Sequence, residues 1–583
     1  MEGPDHARGP GGPRVNDPGL LTAWSRLLLG SLKEAGITQL VLSPGSRSTP
    51  FVAAAVHEGL LIHDVIDERA AAFFALGQAR ITGRPSLLLC TSGTAGAHYF
   101  PALLEAEAAH LPLLVMTADR PFGLIGCAAP QTLDQSHLFG SHVRGHFELG
   151  GPDPSPTAMR GLRRVAVQAV ALSQGPTPGP VHLNVRADKP LEPVEPGPSL
   201  AAEVAAIRAR PLTRYTAGVV TPEPRALLEL SRLLAHAERP LLALGPQPAA
   251  AAADRPSLER WLGGRGLVTY AEATSQHRRR RVGHLLNIVH SVDRPDLDPD
   301  LVVELGAPPT STAYTKLLAR ARPQRVVVQP YGHSDPQQDA TLLIAASPGQ
   351  VLERLEPAAR SGPFSDRWAA AEAEAAGVLA AELAEGGPTE LALVQVLLDR
   401  APAEVVWVLG NSLAVRHLDL LPGPEASLLA LSQRGVSGID GLVAGTAGAA
   451  SLDPRPYLLL LGDVSLLHDL SSLGLLARPA PTVVVVLNNN GGHIFDQLPI
   501  ARTPAWPGLA PHFVTPHGRN FGPAAQLFGL PYHRVEDPAA LGVALEQAFR
   551  FAGPSLIEGV VPDDGAQDLA RRLAQRLQRA PKE

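Results

Sequence analysis

Two apolar stretches with polar ends decide the fold: Leu458–Asp463, which reads Leu-Leu-Leu-Leu-Gly-Asp, and Pro481–Gly492, which reads Pro-Thr-Val-Val-Val-Val-Leu-Asn-Asn-Asn-Gly-Gly. Each apolar run has the length and composition of a buried strand. Asp463 and Asn489 are 26 positions apart (489 − 463), the length of one strand–helix–strand crossover. Strands joined in this way are parallel neighbours, so both polar ends lie at the same edge of one sheet.

The two polar ends carry ligands for a hard cation. The Asp463 carboxylate and the Asn489 amide oxygen suit Mg²⁺, which commonly bridges to phosphate oxygens. Gly491 and Gly492 let the backbone approach a diphosphate closely. Gly-Asp and Asn-Gly are also ordinary turn sequences, and either one alone favours that explanation. The pair at this spacing favours a metal and diphosphate site.

The alternation of strands and helices continues through the chain and predicts an α/β protein of three domains, with parallel sheets flanked by helices. The predicted ranges are 1–195 with a flexible N-terminal tail, 212–360, and 386–583. The proline-rich stretch Pro190–Pro211 is predicted to be a linker, and the alanine-rich helix Ala369–Ala384 a second connection.

Composition narrows the class of protein. Of the 583 residues, 45% are hydrophobic and 18% are charged, which permits a large core. The net charge of −6, with both signs spread along the chain, argues against a surface for nucleic acid or anionic membrane. Cys90 and Cys127 are too few for a disulfide framework and fit a reducing cytoplasm. No apolar run approaches the ~20 residues needed to cross a bilayer.

The Gly-Asp and Asn-Asn pair resembles the thiamine diphosphate motif, which usually has Gly where this chain has Val464. The resemblance implies thiamine diphosphate as cofactor. It also implies that Asp463, Asn489 and the carbonyl of Gly491 hold a metal ion, Mg²⁺ or Mn²⁺.

Glu68 is the second chemical signal. It follows an apolar strand in the first domain, where thiamine enzymes carry the carboxyl group that hydrogen-bonds the cofactor's pyrimidine ring. An apolar surround keeps such a carboxyl poised to share a proton. The alternative is an Asp67-Glu68 pair that stabilises the N-terminus of the following helix. With the metal motif present downstream, we assign Glu68 to catalysis and Asp67 to the helix.

A series of further segments extends the resemblance. In order and placement they resemble the 2-succinyl-5-enolpyruvyl-6-hydroxy-3-cyclohexene-1-carboxylate synthases of menaquinone (vitamin K2) biosynthesis, nearly throughout the first and third domains. The middle domain matches only in position and size. The segments are Ser43–Pro50, Asp67–Arg69, Thr91–Ala95, Thr117–Pro121, Gln131–Gln135, Gly410–Arg416, Arg434–Gly441 and Asn488–Phe495.

This resemblance implies a transferase that decarboxylates 2-oxoglutarate on the cofactor, releases carbon dioxide, and adds the succinyl carbanion to isochorismate. Both acids are dianions, and arginine pairs bidentately with carboxylate, so arginines are expected at the site. Any single arginine could equally be a surface residue. The residues implied to contact substrate or its adduct are Ser46, Arg47, Arg120, Gln131, Ser412, Arg416 and Arg434.

The resemblance also implies the surroundings of the cofactor. Ile439 is the apolar prop that bends it, and Ile494, Phe495 and Leu498 are apolar lining, with plain core packing as the alternative for these four. The residues implied to bind the cofactor are Glu68, Thr91, Gly410, Asn411, Ile439, Gly462, Asp463, Asn489, Gly491 and Ile494. The first domain (pyrimidine-binding) of one subunit faces the third (diphosphate-binding) of another, so a homodimer or homotetramer is implied.

Three positions depart from the family pattern. Pro130-Gln131 stands where Asn-Gln is usual, Gln433 where Asn is usual, and Thr312 follows a Pro-Thr-Ser turn where a basic residue is common. They weaken individual substrate contacts and leave the cofactor motif untouched.

The sequence leaves alternative functions open. Another thiamine enzyme, such as an acetolactate synthase or a 2-oxo acid decarboxylase, would need fewer arginines, and a non-catalytic ligand sensor would not need Glu68.

The four-arginine run Arg278–Arg281 is a solvated loop, a lid or an effector site. His142 and His146 have the spacing of a zinc pair, but Val143 stands where a metalloprotease has Glu, and Gly145 disfavours a helix.

Overall fold

The computed structural model describes residues 17–262, 267–279, 283, 288–290, 293–355, 362–385, 387–424, 427–476, 480–563 and 565–579. The chain divides into two compact units, with the boundary between Gly218 and Val219. The first unit contains one parallel sheet, and the second contains two. These three sheets flanked by helices confirm the predicted fold class, whereas the domain boundaries stay predictions. No helix in the described part of the chain is long and apolar enough to cross a membrane.

The first unit is built on a six-stranded sheet of order β2-β1-β3-β4-β6-β5, in which the paired strands run parallel. Its core lies between the sheet and helices such as α1, whose Leu27 and Leu28 are fully buried. In chain order its elements are α1 Leu20–Glu34, β1 Gln39–Leu42, α2 Thr49–Glu58, β2 Leu61–Asp64, α3 Glu68–Thr82, β3 Leu87–Cys90, α4 Phe100–Ala108, β4 Leu113–Asp119, β5 Gly145–Leu149, α5 Pro156–Gln174, β6 Pro180–Arg186 and α6 Pro198–Arg208.

The prediction that Pro190–Pro211 is a linker is wrong for half of its length. Helix α6 runs from Pro198 to Arg208 and buries Leu200 and Ile207 against the first core. Pro198 stands at the first helical position, where proline starts a helix instead of breaking one. The apolar residues of α6 recur at helical spacing, and this signal outweighs the prolines around them.

The second unit begins with a five-stranded parallel sheet of order β11-β10-β9-β7-β8. The strands β8 and β11 at the two edges of this sheet are four residues each and only partly buried. The elements around this sheet are α7 Pro224–His236, β7 Pro240–Leu244, α8 Arg255–Leu262, β8 Val268–Ala271, β9 Leu301–Leu305, α9 Thr312–Ala321, β10 Gln324–Gln329, β11 Leu342–Ala345 and α10 Pro348–Arg354.

The other sheet of the second unit has six parallel strands in the order β13-β12-β14-β15-β17-β16. Its central strands β14 and β15 are the two apolar stretches of the sequence analysis. Its elements are α11 Pro363–Ala384, α12 Glu390–Arg400, β12 Val406–Leu409, α13 Leu413–Leu420, β13 Leu429–Ser432, α14 Leu442–Leu452, β14 Tyr457–Gly462, α15 Asp463–His468, β15 Thr482–Asn488, α16 Trp506–Val514, α17 Gly522–Leu527, β16 Tyr532–Val535, α18 Pro538–Arg550, β17 Pro554–Val560 and α19 Gly565–Arg579.

The register of this sheet sets the site. Gly462 at the end of β14 is the partner of Leu487 in β15. The residues that follow each partner therefore leave the sheet at the same edge, as the sequence predicts. Leu458–Leu461 and Val483–Val486 are fully buried, so the central strands are anchored on both faces.

Candidate active site

A pocket of about 380 Å³ opens at the carboxyl edge of the sheet that contains β14 and β15. The loops that follow β12, β13, β14 and β15 supply most of its walls. Its lining residues are Glu390, Asn411, Ser412, Leu413, Ala414, Arg416, Arg434, Ser437, Ile439, Gly462, Asp463, Val464, Ser465, Leu487, Asn489, Gly491, Gly492, His493, Ile494 and Phe495.

Asp463 is the central acid of this pocket and is almost fully buried. Its Oδ2 accepts hydrogen bonds from the Gly491 N–H at 2.9 Å and from His517 Nε2 at 3.0 Å, and its Oδ1 accepts the Val464 N–H at 2.7 Å. Burial raises the pKa of Asp463, and the His517 and backbone donors oppose that rise. A cation beside the carboxylate would favour its ionised form further.

The three consecutive asparagines after β15 have three different partners. The Asn488 NH₂ donates to Glu558 Oε1 at 2.6 Å, and the Asn489 NH₂ donates to Glu390 Oε1 at 2.6 Å. Asn490 Oδ1 instead accepts the backbone N–H groups of His517 and Gly518. Of the three, Asn489 lines the pocket that contains Asp463.

Gly491 meets two requirements that exclude other residues. Its φ of +144° lies in a region that L side chains rarely adopt, and an added Cβ would lie 2.4 Å from the Val514 carbonyl oxygen. Its N–H is already engaged by Asp463. The backbone can therefore approach a bound group here only because the side chain is absent.

These residues fit the metal and diphosphate that the motif implies. Asp463, the Asn489 amide and the Gly491 carbonyl are oxygen donors of the type Mg²⁺ prefers. They belong to one pocket whose wall at Gly491 is bare backbone. Within the described ranges there is no cluster of three His, Cys, Asp or Glu residues that would form a different metal site.

The predicted arginines of the second unit line the same pocket. Arg434 donates to Asn411 Oδ1 at 2.7 Å, and Arg416 donates to the Ser412 carbonyl at 2.7 Å. Burial lowers the pKa of Arg416, and the nearby Arg434 cation lowers it further. Two cations held close together in a partly buried pocket are suited to an anionic ligand that pairs with both.

The loop that leads into Arg416 has a constrained backbone. Ser412 has a φ of +67°, which is rare for a residue with a side chain. The Asn411 NH₂ ties this loop to the next one by donating to the carbonyls of Gln433 and Gly438. Gln433, one of the departures from the family pattern, donates from its side chain to the Asp440 carbonyl. Its NH₂ group therefore supports the loop that follows β13.

The apolar predictions divide. Ile439, Ile494 and Phe495 line the pocket, whereas Leu498 does not. Gly410, which was predicted to bind the cofactor, does not line the pocket either. Leu498 is 42% exposed, and Gly410 packs against the backbone of β14, where an added Cβ would lie 3.0 Å from the Leu460 carbonyl.

In the first unit, Glu68 is the first residue of α3 and is half-buried. Asp67 is the N-cap, and its carboxylate accepts the Arg69 N–H at 2.9 Å. The helix-stabilising role is therefore filled by Asp67. Burial raises the pKa of Cys90 and of Tyr99, and the charge of Glu68 adds to the rise in both, so Glu68 adjoins these two buried side chains.

The other predicted residues of the first unit gather around the ends of β3 and β4. Thr91 Oγ1 accepts the Arg47 N–H at 3.2 Å, and Arg120 Nε donates to the Gln131 carbonyl at 3.3 Å. Burial and the adjacent Arg120 lower the pKa of Arg47, so these two cations are neighbours. Ser46 is exposed beside Arg47. Gln131 has a φ of +54°, and its NH₂ donates to the Ser92 carbonyl.

Sequence reasoning missed the buried groups that support these loops. Arg186, 1% exposed, pairs with Asp119 at 3.0 Å and Glu148 at 2.7 Å and donates to the Arg120 carbonyl at 2.7 Å. Its guanidinium also lies 3.8 Å from the centre of the Phe122 ring. Arg186 thus holds the start of the loop that contains Arg120 and Gln131. In the second unit, Glu390, His417 and His517 were missed in the same way.

Two other sequence features have structural explanations. His142 lies 3.6 Å from Glu107, whereas His146 contacts His182 at 3.0 Å, so the two do not form a metal pair. In the four-arginine run, Arg280 and Arg281 lie outside the described residues. Arg278 is fully buried and donates to the carbonyls of Ala271 and Gly283, which rules out a solvated loop at that position.

Comparison with known proteins places the fold and the site together in one class. Residues 23–138 match the family model "Thiamine pyrophosphate enzyme, N-terminal TPP binding domain", and residues 426–559 match "Thiamine pyrophosphate enzyme, C-terminal TPP binding domain". Thiamine pyrophosphate is thiamine diphosphate. The protein is therefore a thiamine diphosphate-dependent enzyme.

Full-length relatives identify the family. The 2-succinyl-5-enolpyruvyl-6-hydroxy-3-cyclohexene-1-carboxylate synthase of Sorangium cellulosum is 45% identical over 582 residues, which cover 95% of each chain. The proteins of the same name from Haloarcula marismortui and Myxococcus xanthus are 38% and 34% identical. Those alignments cover 93% and 96% of this chain and 95% and 98% of the relatives. The chain belongs to the family of 2-succinyl-5-enolpyruvyl-6-hydroxy-3-cyclohexene-1-carboxylate synthases.

Proposed function

We propose that this enzyme decarboxylates 2-oxoglutarate and transfers the succinyl group to isochorismate, forming 2-succinyl-5-enolpyruvyl-6-hydroxy-3-cyclohexene-1-carboxylate for menaquinone biosynthesis in the cytoplasm. One observation supports it above the others. Arg416 and Arg434 line the same pocket as Asp463 and Asn489. A pocket that combines a cofactor motif with two adjacent arginines suits substrates that carry two carboxylates each.

The roles of the residues follow from their chemistry. Asp463, Asn489 and the Gly491 carbonyl would hold the metal, and the apolar side chains of Ile439 and Ile494 would exclude water. The bound cofactor supplies the electron sink that decarboxylation needs. Arg416 and Arg434 would bind and orient the acids through charge-assisted hydrogen bonds.

The first unit would contribute the remaining groups. Glu68 would hold the proton shared with the cofactor's ring, and Arg47, Arg120 and Gln131 would bind the second acid. We propose that these groups meet the pocket of the second unit across a subunit interface, in a homodimer or a homotetramer. Sedimentation velocity measures the assembly. Mixing a Glu68 variant with an Asp463 variant tests the shared site, because mixed dimers would regain one intact site and part of the activity.

Product analysis tests the reaction itself. The purified protein is incubated with thiamine diphosphate, Mg²⁺ and 2-oxoglutarate, with or without isochorismate. We expect carbon dioxide release and, with isochorismate, loss of its conjugated diene and a product of the mass expected for succinyl addition. Decarboxylation of pyruvate but not 2-oxoglutarate would assign the chain to an acetolactate-type reaction. Cofactor binding without turnover of any 2-oxo acid would instead indicate a ligand sensor.

A further inference from the structure

A buried carboxylate in the wall of the pocket contacts the Asn489 side chain. Glu390, the first residue of α12, is 4% exposed, and its Oε1 accepts a hydrogen bond from the Asn489 NH₂ at 2.6 Å. Its Oε2 forms a hydrogen bond with Nε2 of His417, which is 2% exposed. Glu390 and Asn489 are 99 residues apart in the chain.

This contact determines which end of the amide faces the pocket. A carboxylate can only accept hydrogen bonds, so the atom of Asn489 that faces Glu390 must be its NH₂ group. The amide oxygen of Asn489 is then directed away from Glu390. A cation is attracted to an amide oxygen and repelled by an NH₂ group, so only this orientation makes Asn489 a metal ligand.

The neighbouring Asn488 makes an equivalent hydrogen bond to a different buried glutamate, outside the pocket. The Asn488 NH₂ donates to Glu558 Oε1 at 2.6 Å, and Glu558 is fully buried. Asn488 does not line the pocket that contains Asp463. The two Asn–Glu pairs therefore match in chemistry and burial, and they differ in whether the asparagine reaches the pocket.

We propose that Glu390 is a positioning residue that orients the Asn489 amide so that its oxygen ligates the cofactor's metal. The proposal rests on the proposed function, since that function places the metal at Asn489. His417 contributes to this orientation because its hydrogen bond occupies Oε2 of Glu390 and leaves Oε1 for Asn489. The helix that contains His417 also contains Arg416, so Glu390 links the metal ligand to one of the two arginines of the pocket.

Glu390→Gln tests the proposal directly. His417 would keep its hydrogen bond to the amide oxygen of the introduced glutamine, whose NH₂ group then turns toward Asn489 and inverts the Asn489 amide. We expect the dissociation constant for Mn²⁺, titrated at saturating thiamine diphosphate and followed by the electron paramagnetic resonance of free Mn²⁺, to rise at least about tenfold, as for other groups that support metal ligands. The matched control Glu558→Gln should stay within about threefold of wild type, which is about 0.6 kcal/mol.

Asn489→Asp gives a second test that does not require Glu390 to be replaced. A carboxylate is ordinarily a better Mg²⁺ ligand than an amide. In this chain it would face the Glu390 carboxylate, so we expect weaker Mn²⁺ binding. Combining Asn489→Asp with Glu390→Gln restores a donor opposite the new carboxylate and should recover binding relative to Asn489→Asp alone. A residue needed only for folding would not produce this rescue.

The outcomes separate the two proposals. If the wild type does not bind thiamine diphosphate with Mn²⁺, the proposed function fails. If the wild type binds both and Asn489→Asp binds Mn²⁺ as tightly or more tightly, the positioning role of Glu390 is wrong and the function stands. The same conclusion follows if a folded Glu390→Gln variant, checked by circular dichroism, binds Mn²⁺ like Glu558→Gln.

Discussion

The Gly491 N–H donates to the Asp463 carboxylate at 2.9 Å, and this one bond joins the ends of the two central strands of the site. The residues are 28 positions apart, and both follow strands that are paired in register. Asp463 is thereby held by backbone on both sides, since Val464 donates to its other oxygen. A carboxylate fixed in this way needs little reorganisation to accept a cation.

The first prediction concerns that carboxylate. Asp463→Ala and Asp463→Asn should both abolish binding of thiamine diphosphate with Mg²⁺, because the diphosphate loses the charge that holds its metal. The asparagine keeps an acceptor for the Gly491 N–H, so this variant should retain the fold by circular dichroism. Calorimetry measures the affinity. Retention of wild-type affinity within about threefold, roughly 0.6 kcal/mol, by the asparagine variant would disprove the metal site.

The second prediction concerns Glu68. Glu68→Gln is nearly isosteric but cannot share a proton, so the cofactor should still bind while turnover falls by at least the ~10²-fold typical of lost acid–base catalysis. Asp67→Asn is the matched control, since asparagine caps a helix as well as aspartate does. The control should turn over nearly normally. If Glu68→Gln turns over as nearly normally as Asp67→Asn, Glu68 is not catalytic.

The third prediction concerns the arginines of the pocket. Removing one partner of a desolvated charge pair costs about 2–5 kcal/mol, so Arg416→Ala or Arg434→Ala should lower kcat/KM for at least one acid about 30-fold or more. Affinity for the cofactor should stay close to wild type. Arg400→Ala, which removes an exposed arginine paired with Glu546, should change neither quantity. Normal kinetics for both acids in both pocket variants would contradict the proposed substrate contacts.

The fourth prediction concerns pH and the first unit. His182 is fully buried between Thr117 and His146, and burial, with the neighbouring His146, lowers its pKa to about 3. The unfolded chain takes up a proton at this histidine below about pH 6.5 while the native state does not, so stability falls as the pH falls from about 6.5 toward about 3. The slope from this one group is at most about 1.4 kcal/mol per pH unit.

Urea unfolding at about pH 7, 6 and 5 measures that slope. His182→Gln should lose less stability on acidification than the wild type. His236→Gln, at an exposed histidine of α7, should follow the wild type. If His182→Gln also follows the wild type, His182 is not the group that titrates.

Residues close to a strand end were predictable. A polar residue at the end of an apolar strand must lie at the carboxyl edge of the sheet, and this places Asp463, Asn489 and Glu68 without any structure. Leu498 is an exception: it lies three residues after Phe495, but it is exposed and does not line the pocket. A motif therefore predicts the segment, and the local turn decides each side chain.

The sequence alone determined the fold class and the residues at the ends of β14 and β15, because strand periodicity and ligand type are local properties. It indicated the cofactor through the resemblance of those residues to the thiamine diphosphate motif. Only the tertiary structure revealed Glu390, His417 and Arg186. Each of these acts through a partner that is distant in the chain, as Glu390 does with Asn489 across 99 residues. The sequence around a glutamate, a histidine or an arginine contains no local pattern that predicts such a contact. Its role arises because packing around the sheet excludes water, so that one buried polar group must form hydrogen bonds with another.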